Sequence, residues 1–206
     1  MTRVKICGLT SARDALAAVE AGADALGFIF AESPRRIDPR LAGEIVRRLP
    51  PFVRTVGVFR DASFGEIRMG VEESGVDLIQ LHGEESPELC ARLDRPVLKR
   101  LPIGSPDGDA DLPRRAASYA VAALLLDPGA GSGRTFRWET ARGLPGRIIV
   151  AGGLNPDNVA AAVRVARPYA VDVASGVECK PGVKDADKIR ALIESVRRED
   201  ERVASR

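Results

Sequence analysis

The chain has 206 residues, of which 45% are hydrophobic and 29% charged, a composition that excludes a disordered or fibrous protein. Its 31 basic and 29 acidic residues give a net charge of +2, and only 4% of its residues are aromatic, so nothing favours a nucleic-acid partner. No stretch approaches the roughly 20 apolar residues of a membrane-spanning helix, and no signal-peptide pattern is present. We therefore expect a cytoplasmic protein whose partner is a small molecule, with no membrane or nucleic acid involved.

Short β-type segments alternate with amphipathic helical segments from one end of the chain to the other. The eight predicted strands are Arg3 to Cys7, Ala25 to Phe30, Thr55 to Phe59, Leu78 to His82, Val97 to Leu101, Ala123 to Asp127, Ile148 to Ala151 and Ala170 to Ala174.

Capping signals place several helix boundaries between these strands. Asp38-Pro39, Ser86-Pro87 and Asn155-Pro156 each put a capping side chain before a proline that suits the first helical position. Gly22 and Gly75 follow helical segments and can adopt the left-handed conformation that ends a helix.

This alternation predicts a parallel sheet, and eight strands allow the sheet to close into a (β/α)8 TIM barrel. We expect one α/β barrel domain over residues 1–206 with short loops, because about 26 residues per unit suit one strand, one helix and their connections. The helices within Pro102 to Ser118 and Trp138 to Leu144 are weakly signalled. An open doubly wound sheet of six or seven strands is the alternative.

Polar residues occupy the predicted strand ends, where the working groups of such a barrel lie. These ends carry Lys5, Cys7, Gln80, His82, Asp127 and Asp172. In a closed sheet Lys5 and Asp172 would lie on neighbouring strands and pair as buried opposite charges, whereas an open sheet would not bring them together.

Glycine-rich turns after the last two strands predict a phosphate site. Gly152-Gly153 and Ser175-Gly176 can bring backbone N–H groups close to phosphate oxygens at this end of a barrel. The glycine-rich loop Gly129 to Thr135 lacks the pattern of a nucleotide-binding loop and is a weak signal by itself. Arg35 and Arg36 lie after the second strand, where a guanidinium could hold a substrate carboxylate in a bidentate fork.

Nine motifs, each modest alone but specific as an ordered set, cover nearly the whole chain. They are Val4 to Thr10, Gly22 to Phe28, Ser33 to Arg35, Val56 to Phe59, Gln80 to Glu85, Leu126-Asp127, Gly131 to Phe136, Ala151 to Leu154 and Val171 to Glu178. On these motifs the chain resembles the phosphoribosylanthranilate isomerases of tryptophan biosynthesis.

The resemblance implies a cofactor-free and metal-free isomerase that converts N-(5-phosphoribosyl)anthranilate to 1-(2-carboxyphenylamino)-1-deoxyribulose 5-phosphate by an Amadori rearrangement. By similarity Asp127 is the acid that assists ring opening, and Cys7 is the base that removes the C2 proton. The binding residues implied are Gly152, Gly153, Ser175 and Gly176 for phosphate, and Lys5, Arg35, His82, Gly131, Gly133 and Asp172 for the rest of the substrate. Arg36 stands where an aromatic residue is common, so Arg35 and Arg36 are alternative partners of the anthranilate carboxylate.

These roles make physical demands on both groups. Cys7 needs a thiolate fraction near neutral pH, which a cation such as Lys5 would favour. Asp127 must hold its proton, so we expect a partly apolar pocket that raises its pKa, consistent with the preceding leucines at 124–126. Judged by residue type alone, Cys7 is a buried structural thiol and His82 a hydrogen-bonded rim residue.

Other interpretations remain open at this point. Cys90 fits core packing on an apolar helical stripe, and nothing near Cys179 suggests a role. A Schiff-base lyase or aldolase could use Lys5 or Lys99 as an amine nucleophile. A non-catalytic sugar-phosphate sensor and an isomerase that also accepts the related histidine-pathway aminoaldose are further alternatives. Monomer and homodimer are equally compatible with the sequence.

Overall fold

The eight main strands form a closed parallel barrel in chain order, in a computed structural model that describes residues 1–104, 109–129 and 133–205. The strands are β1 (Arg3–Cys7), β2 (Ala25–Ile29), β3 (Arg54–Phe59), β4 (Leu78–Leu81), β5 (Val97–Pro102), β6 (Ala123–Asp127), β7 (Ile148–Val150) and β8 (Ala170–Val173). The helices are α1 (Ala12–Glu20), α2 (Pro39–Val46), α3 (Phe64–Ser74), α4 (Pro87–Arg92), α5 (Leu112–Ala117), α6 (Val159–Ala166) and α7 (Ala186–Ala204). The predicted (β/α)8 barrel is confirmed, and its closure excludes the open sheet.

Closure joins the first strand to the last. β1 pairs with β8 in parallel, and Lys5 lies in register with Asp172. On its other side β1 pairs with β2, which places Cys7 beside Gly27. The end of β1 is therefore bordered by an acid on one neighbouring strand and by a glycine on the other.

Strand alternation divides the buried apolar residues into two cores. The small core contains Val56, Leu98, Ala123, Leu125, Ile149, Ala151 and Ala170. The larger one packs strands against helices and includes Phe28, Leu26, Ile67 and Leu126, all fully buried. Cys90 is 5% exposed and belongs to this larger core, as its helical stripe predicts.

Local sequence signals set most of the helix boundaries. Asp38 accepts a hydrogen bond from the N–H of Arg40, and Ser86 accepts one from Leu89, so α2 and α4 begin at the predicted prolines. Gly75 ends α3 in the left-handed conformation with φ 67°.

The helix predicted to begin at Pro156 instead begins at Val159. Asn155 Oδ1 accepts hydrogen bonds from the N–H groups of Asp157 and Asn158, while Asn158 Oδ1 accepts one from the N–H of Asn155. These reciprocal bonds form a capping box, and the N–H of Val159 donates to the carbonyl of Asn155, so the turn over residues 155–158 leads directly into α6.

The two weakly signalled helices are short. The first is α5, with six residues, and the second is a single 3-10 turn over Trp138–Ala141. A hairpin of β9 (Glu178–Lys180) and β10 (Val183–Lys184), which the sequence did not predict, follows β8. Within the described residues, no helix is long and apolar enough to cross a membrane.

Candidate active site

A cavity of about 350 Å³ opens among the loops that follow the strands. Nine of the predicted site residues line it: Cys7, Arg35, His82, Asp127, Gly133, Gly152, Gly153, Asp172 and Ser175. Lys5 and Gly176 are not part of this lining, and Gly131 lies outside the described residues. The cavity therefore brings together groups from β1, β4, β6 and β8 that are far apart in sequence.

Cys7 ends β1 and is 5% exposed. A Cβ atom on Gly27, the neighbouring residue of β2, would come within 2.7 Å of Cys7 Sγ and 3.0 Å of Lys5 Nζ. Since real Cβ atoms essentially never come within 3.0 Å of another heavy atom, a side chain at position 27 would displace the Cys7 thiol, and glycine lets the thiol keep this position.

The predicted Lys5–Asp172 ion pair is present. Lys5 Nζ lies 2.8 Å from Asp172 Oδ1, and the two side chains are only 4% and 8% exposed. Burial disfavours the Lys5 ammonium, but the charge of Asp172 and the nearby Cys7 hold the pKa of Lys5 above its ordinary value.

Burial also dominates the titration of Cys7. It raises the pKa of this thiol above its ordinary value, although the charges of Lys5 and Lys184 act in the opposite direction. Lys5 thus favours the thiolate as expected, but the free site holds mostly the neutral thiol at neutral pH.

Asp127 ends β6, and its surroundings differ from the apolar pocket that the sequence suggested. His82 Nε2 lies 3.2 Å from Asp127 Oδ2, and the N–H of Gly129 donates to Oδ1 at 3.1 Å. Burial raises the pKa of this carboxyl, but the bonds from His82 and Gly129, with the charge of Arg100, hold it below its ordinary value. The expectation of a raised pKa is wrong for the free site, because the strand-end leucines at 124–126 do not determine the carboxylate's own surroundings.

Gln80 and His82 form a chain of polar contacts that leads to Asp127. Gln80 Nε2 lies 3.2 Å from His82 Nδ1, and Gln80 is 1% exposed while lining the cavity. His82 is therefore the direct partner of Asp127 rather than only a rim residue. The Gln80-His82 spacing in a strand was the available sequence signal, since residues two apart share a face.

Arg35 lines the cavity, but part of its guanidinium is already used. Its Nε and Nη2 donate to the two carboxylate oxygens of Glu178, each at 2.8 Å, and this fork leaves Nη1 outside it. Glu178 also accepts from Lys184 Nζ at 2.7 Å, so one carboxylate lies between two cations. Those charges lower the pKa of Glu178 even though burial raises it. Arg36 is exposed and does not line the cavity.

Glu178 and Lys184 were missed by the sequence interpretation. They belong to the unpredicted β9–β10 hairpin, and the N–H of Lys184 donates to Asp14 Oδ2 at 3.0 Å. Thr10 Oγ1 donates to the carbonyl of Gly182 at the tip of the hairpin. These contacts hold the hairpin beside the loops after β1 and β2.

The predicted phosphate loops pack tightly against one another. Gly153 has φ 62°, and a Cβ atom there would approach the carbonyl oxygen of Gly133 to 2.6 Å. A Cβ atom on Gly176 would approach the carbonyl oxygen of Leu154 even more closely, to 1.9 Å. The loops after β6, β7 and β8 can therefore meet only because these positions lack side chains, and Gly152, Gly153 and Ser175 border the cavity where they meet.

Two further observations concern the chemistry open to this site. No lysine lines the cavity among the described residues. The two lysines considered as amine nucleophiles are both held in ion pairs, Lys5 with Asp172 and Lys99 with Glu85 at 2.7 Å. Across 1–104, 109–129 and 133–205, no three His, Cys, Asp or Glu side chains group in a way that could hold a metal ion.

Comparison with known proteins points to one family. A family model described as N-(5'-phosphoribosyl)anthranilate (PRA) isomerase matches residues 4–195. A relative from Geobacter sp. (strain M21), named N-(5'-phosphoribosyl)anthranilate isomerase, is 52% identical over 202 residues, which cover 94% of this chain and 97% of the relative.

Solved structures agree with this result. The phosphoribosyl anthranilate isomerase of Thermus thermophilus is 44% identical with a TM-score of 0.86, covering 96% of this chain and 99% of that one. Another phosphoribosyl anthranilate isomerase, solved with reduced 1-(o-carboxyphenylamino)-1-deoxyribulose 5-phosphate, is 40% identical with a TM-score of 0.87 and the same coverage.

Proposed function

The chain belongs to the N-(5'-phosphoribosyl)anthranilate isomerase family, and we propose that it isomerises N-(5-phosphoribosyl)anthranilate with Cys7 as the base and Asp127 as the acid. The observation that carries this assignment is that a thiol and a carboxyl, from strands β1 and β6, line one cavity. Loops suited to phosphate border the same cavity.

The first step uses the acid. Asp127 donates its proton to the ribose ring oxygen, the bond from that oxygen to C1 breaks, and the anthranilate nitrogen forms a Schiff base with C1. His82 lies beside the carboxyl and holds it in place through the 3.2 Å contact.

The second step uses the base. The Cys7 thiolate removes the proton from C2, and the electron pair left behind forms the enolamine as the Schiff-base nitrogen is neutralised. The enolamine then tautomerises to the ketone. Lys5 supports the thiolate from two residues earlier on β1, which offsets part of the cost of burying a charge there.

The cavity offers separate partners for the two anionic groups of this substrate. Backbone groups of Gly152, Gly153 and Ser175 would hold the phosphate, and Arg35 would meet the anthranilate carboxylate with Nη1. Arg35 is preferred to Arg36 because only Arg35 borders the cavity. The absence of a cavity-lining lysine in the described chain weighs against a Schiff-base lyase or aldolase.

A fluorescence assay that follows consumption of freshly made phosphoribosylanthranilate tests the proposal. We expect Cys7→Ser and Asp127→Asn each to lower turnover by at least about 10²-fold, as removal of an acid or a base should. Cys90→Ser is the matched control, because Cys90 is also 5% exposed but lies in α4 away from the cavity. Near-normal turnover in either site variant would contradict the assigned roles.

A further inference from the structure

Gln80 is a buried amide with one end unused. Its Oε1 is buried without a hydrogen-bond partner among the described residues, while its Nε2 contacts His82 Nδ1. Unpaired polar atoms are uncommon in protein interiors, since each one costs the free energy of its lost hydration. Because no other hydrogen bond in the described part of the chain holds the Oε1 end, the amide can turn over without breaking a bond other than its contact with His82.

The observed arrangement fits an ionised Asp127. An amide nitrogen can only donate, so Gln80 Nε2 donates to His82 Nδ1, and the ring proton must lie on Nε2. That proton points at Asp127 Oδ2, which accepts it as a carboxylate. Each donor in the chain from Gln80 to Asp127 then has one acceptor.

Adding one proton to the His82–Asp127 pair changes this pattern. When two protons are shared by the ring and the Oδ2 oxygen that faces it, whether as an imidazolium or as a carboxyl that donates to Nε2, the ring carries hydrogen on Nδ1. The other carboxylate oxygen, Oδ1, already accepts from the N–H of Gly129. An N–H of the ring cannot face the N–H of the amide, but it can donate to the amide oxygen. A half-turn of the Gln80 amide exchanges its nitrogen and oxygen with almost no change of shape.

We propose that Gln80 is a positioning residue whose amide turns over to accept a hydrogen bond from His82 Nδ1 when the His82–Asp127 pair takes up the proton that Asp127 delivers. The proposal deepens the proposed function and rests on the acid role of Asp127 given there. Gln80 thereby sets how readily Asp127 becomes protonated, although it does not touch the reacting atoms.

Several other charged groups face the pair and contribute to the same equilibrium. They are Cys7 on β1, Glu32 and Arg35 after β2, Arg60 after β3, Arg100 on β5 and Asp172 on β8. None of them forms a hydrogen bond with His82 Nδ1, whose hydrogen-bond partner in the described chain is Gln80. Substitutions at Gln80 therefore change the ring's partner and leave these charges in place.

His82 is the single histidine of the chain, so labelling histidine with ¹⁵N gives NMR signals from one imidazole and needs no substrate. At neutral pH we expect the wild-type ring to carry hydrogen on Nε2 only. In Gln80→Glu, whose carboxylate offers only acceptors, the ring should carry hydrogen on Nδ1. A wild-type ring with hydrogen on Nδ1 at neutral pH, or a Gln80→Glu ring without it, would overturn the proposal.

Kinetics supply an independent test with Gln80→Met, which offers neither donor nor acceptor. We expect kcat/KM near neutral pH to fall about tenfold, the factor that one neutral hydrogen bond is worth. Gln80→Glu should retain more activity than Gln80→Met. The matched control is Leu98→Met, a volume-conserving change at the β5 residue in register with Gln80, which should leave kcat/KM unchanged.

The outcomes separate the two proposals. A wild-type protein without isomerase activity would refute the proposed function. The NMR spectra of the His82 ring would still test whether the Gln80 amide rotates. If Gln80→Met does not fold, the wild-type and Gln80→Glu spectra decide the matter alone. Equal losses of activity in Gln80→Met and Gln80→Glu, with unchanged ring spectra, would reduce Gln80 to a packing residue.

Discussion

Asp172→Asn tests the buried ion pair beside the end of β1, which carries the proposed base Cys7. The substitution keeps the size of the side chain but leaves the Lys5 ammonium without its partner at 2.8 Å. Lys5 is 4% exposed at its side chain, so water cannot replace the lost charge. The substitution therefore isolates electrostatics from packing.

Its cost follows from this burial. Removing one partner of a buried pair typically costs about 3–5 kcal/mol, and each ~1 kcal/mol lowers Tm by about 2–4 °C in a chain of this size. We expect Tm to fall by roughly 6 to 20 °C.

Differential scanning calorimetry at neutral pH measures the change. Glu72→Gln is the matched control, because its pair with Arg68 is 65% exposed on both sides and should contribute no more than about 1 kcal/mol. The double variant Lys5→Met with Asp172→Asn should recover much of the lost stability, because no charge is left buried. A Tm loss equal to that of the control, or a double variant less stable than Asp172→Asn, would refute this reasoning.

Three further predictions concern the site itself. Gly27→Ala should lower kcat by about 10²-fold in the turnover assay, because the new Cβ atom would lie 2.7 Å from Cys7 Sγ and force the thiol to move; unchanged kcat would contradict the packing argument. Glu178→Gln should raise KM by about tenfold with little effect on kcat, because Arg35 loses the charged partner that orients it; an effect confined to kcat would count against this. The pH profile of kcat/KM should be flat between about pH 5 and pH 8, because the active form needs a protonated Asp127, whose pKa is lowered, and a Cys7 thiolate, whose pKa is raised. Between the two pKa values the fraction of protonated Asp127 falls with pH as fast as the fraction of thiolate rises. Activity then falls in acid as the thiol stays protonated and in alkali as Asp127 stays ionised, and a steep limb near pH 7 would rule this assignment out.

Local sequence patterns predicted most of the strands and helix starts of the fold. Strand patterns located all eight barrel strands, with β1 and β6 matching at both ends, and capping residues such as Asp38 and Ser86 marked helix starts. Such signals act between residues a few positions apart, so they can be read without knowing the rest of the molecule. At Asn155 the capping signal was correct, since this side chain and Asn158 exchange the bonds of a capping box, but the regular helix begins only at Val159.

The candidate site was only partly accessible from the sequence. Once the barrel was assumed, strand alternation placed Lys5 opposite Asp172, and the strand ends identified Cys7 and Asp127 as residues of one rim. That inference works because strand pairing in a closed parallel barrel follows from chain order and register alone.

Other features of the site depend on how loops and side chains meet. Arg35 and Glu178 are 143 positions apart, and their fork exists because the β9–β10 hairpin folds back over the loop after β2. The lowered pKa of Asp127 likewise depends on the rotamer that brings His82 to its carboxylate from another strand. Chain order decides which strands are neighbours, but the directions of side chains and the paths of loops are set by packing among distant residues, so only the tertiary structure determined them.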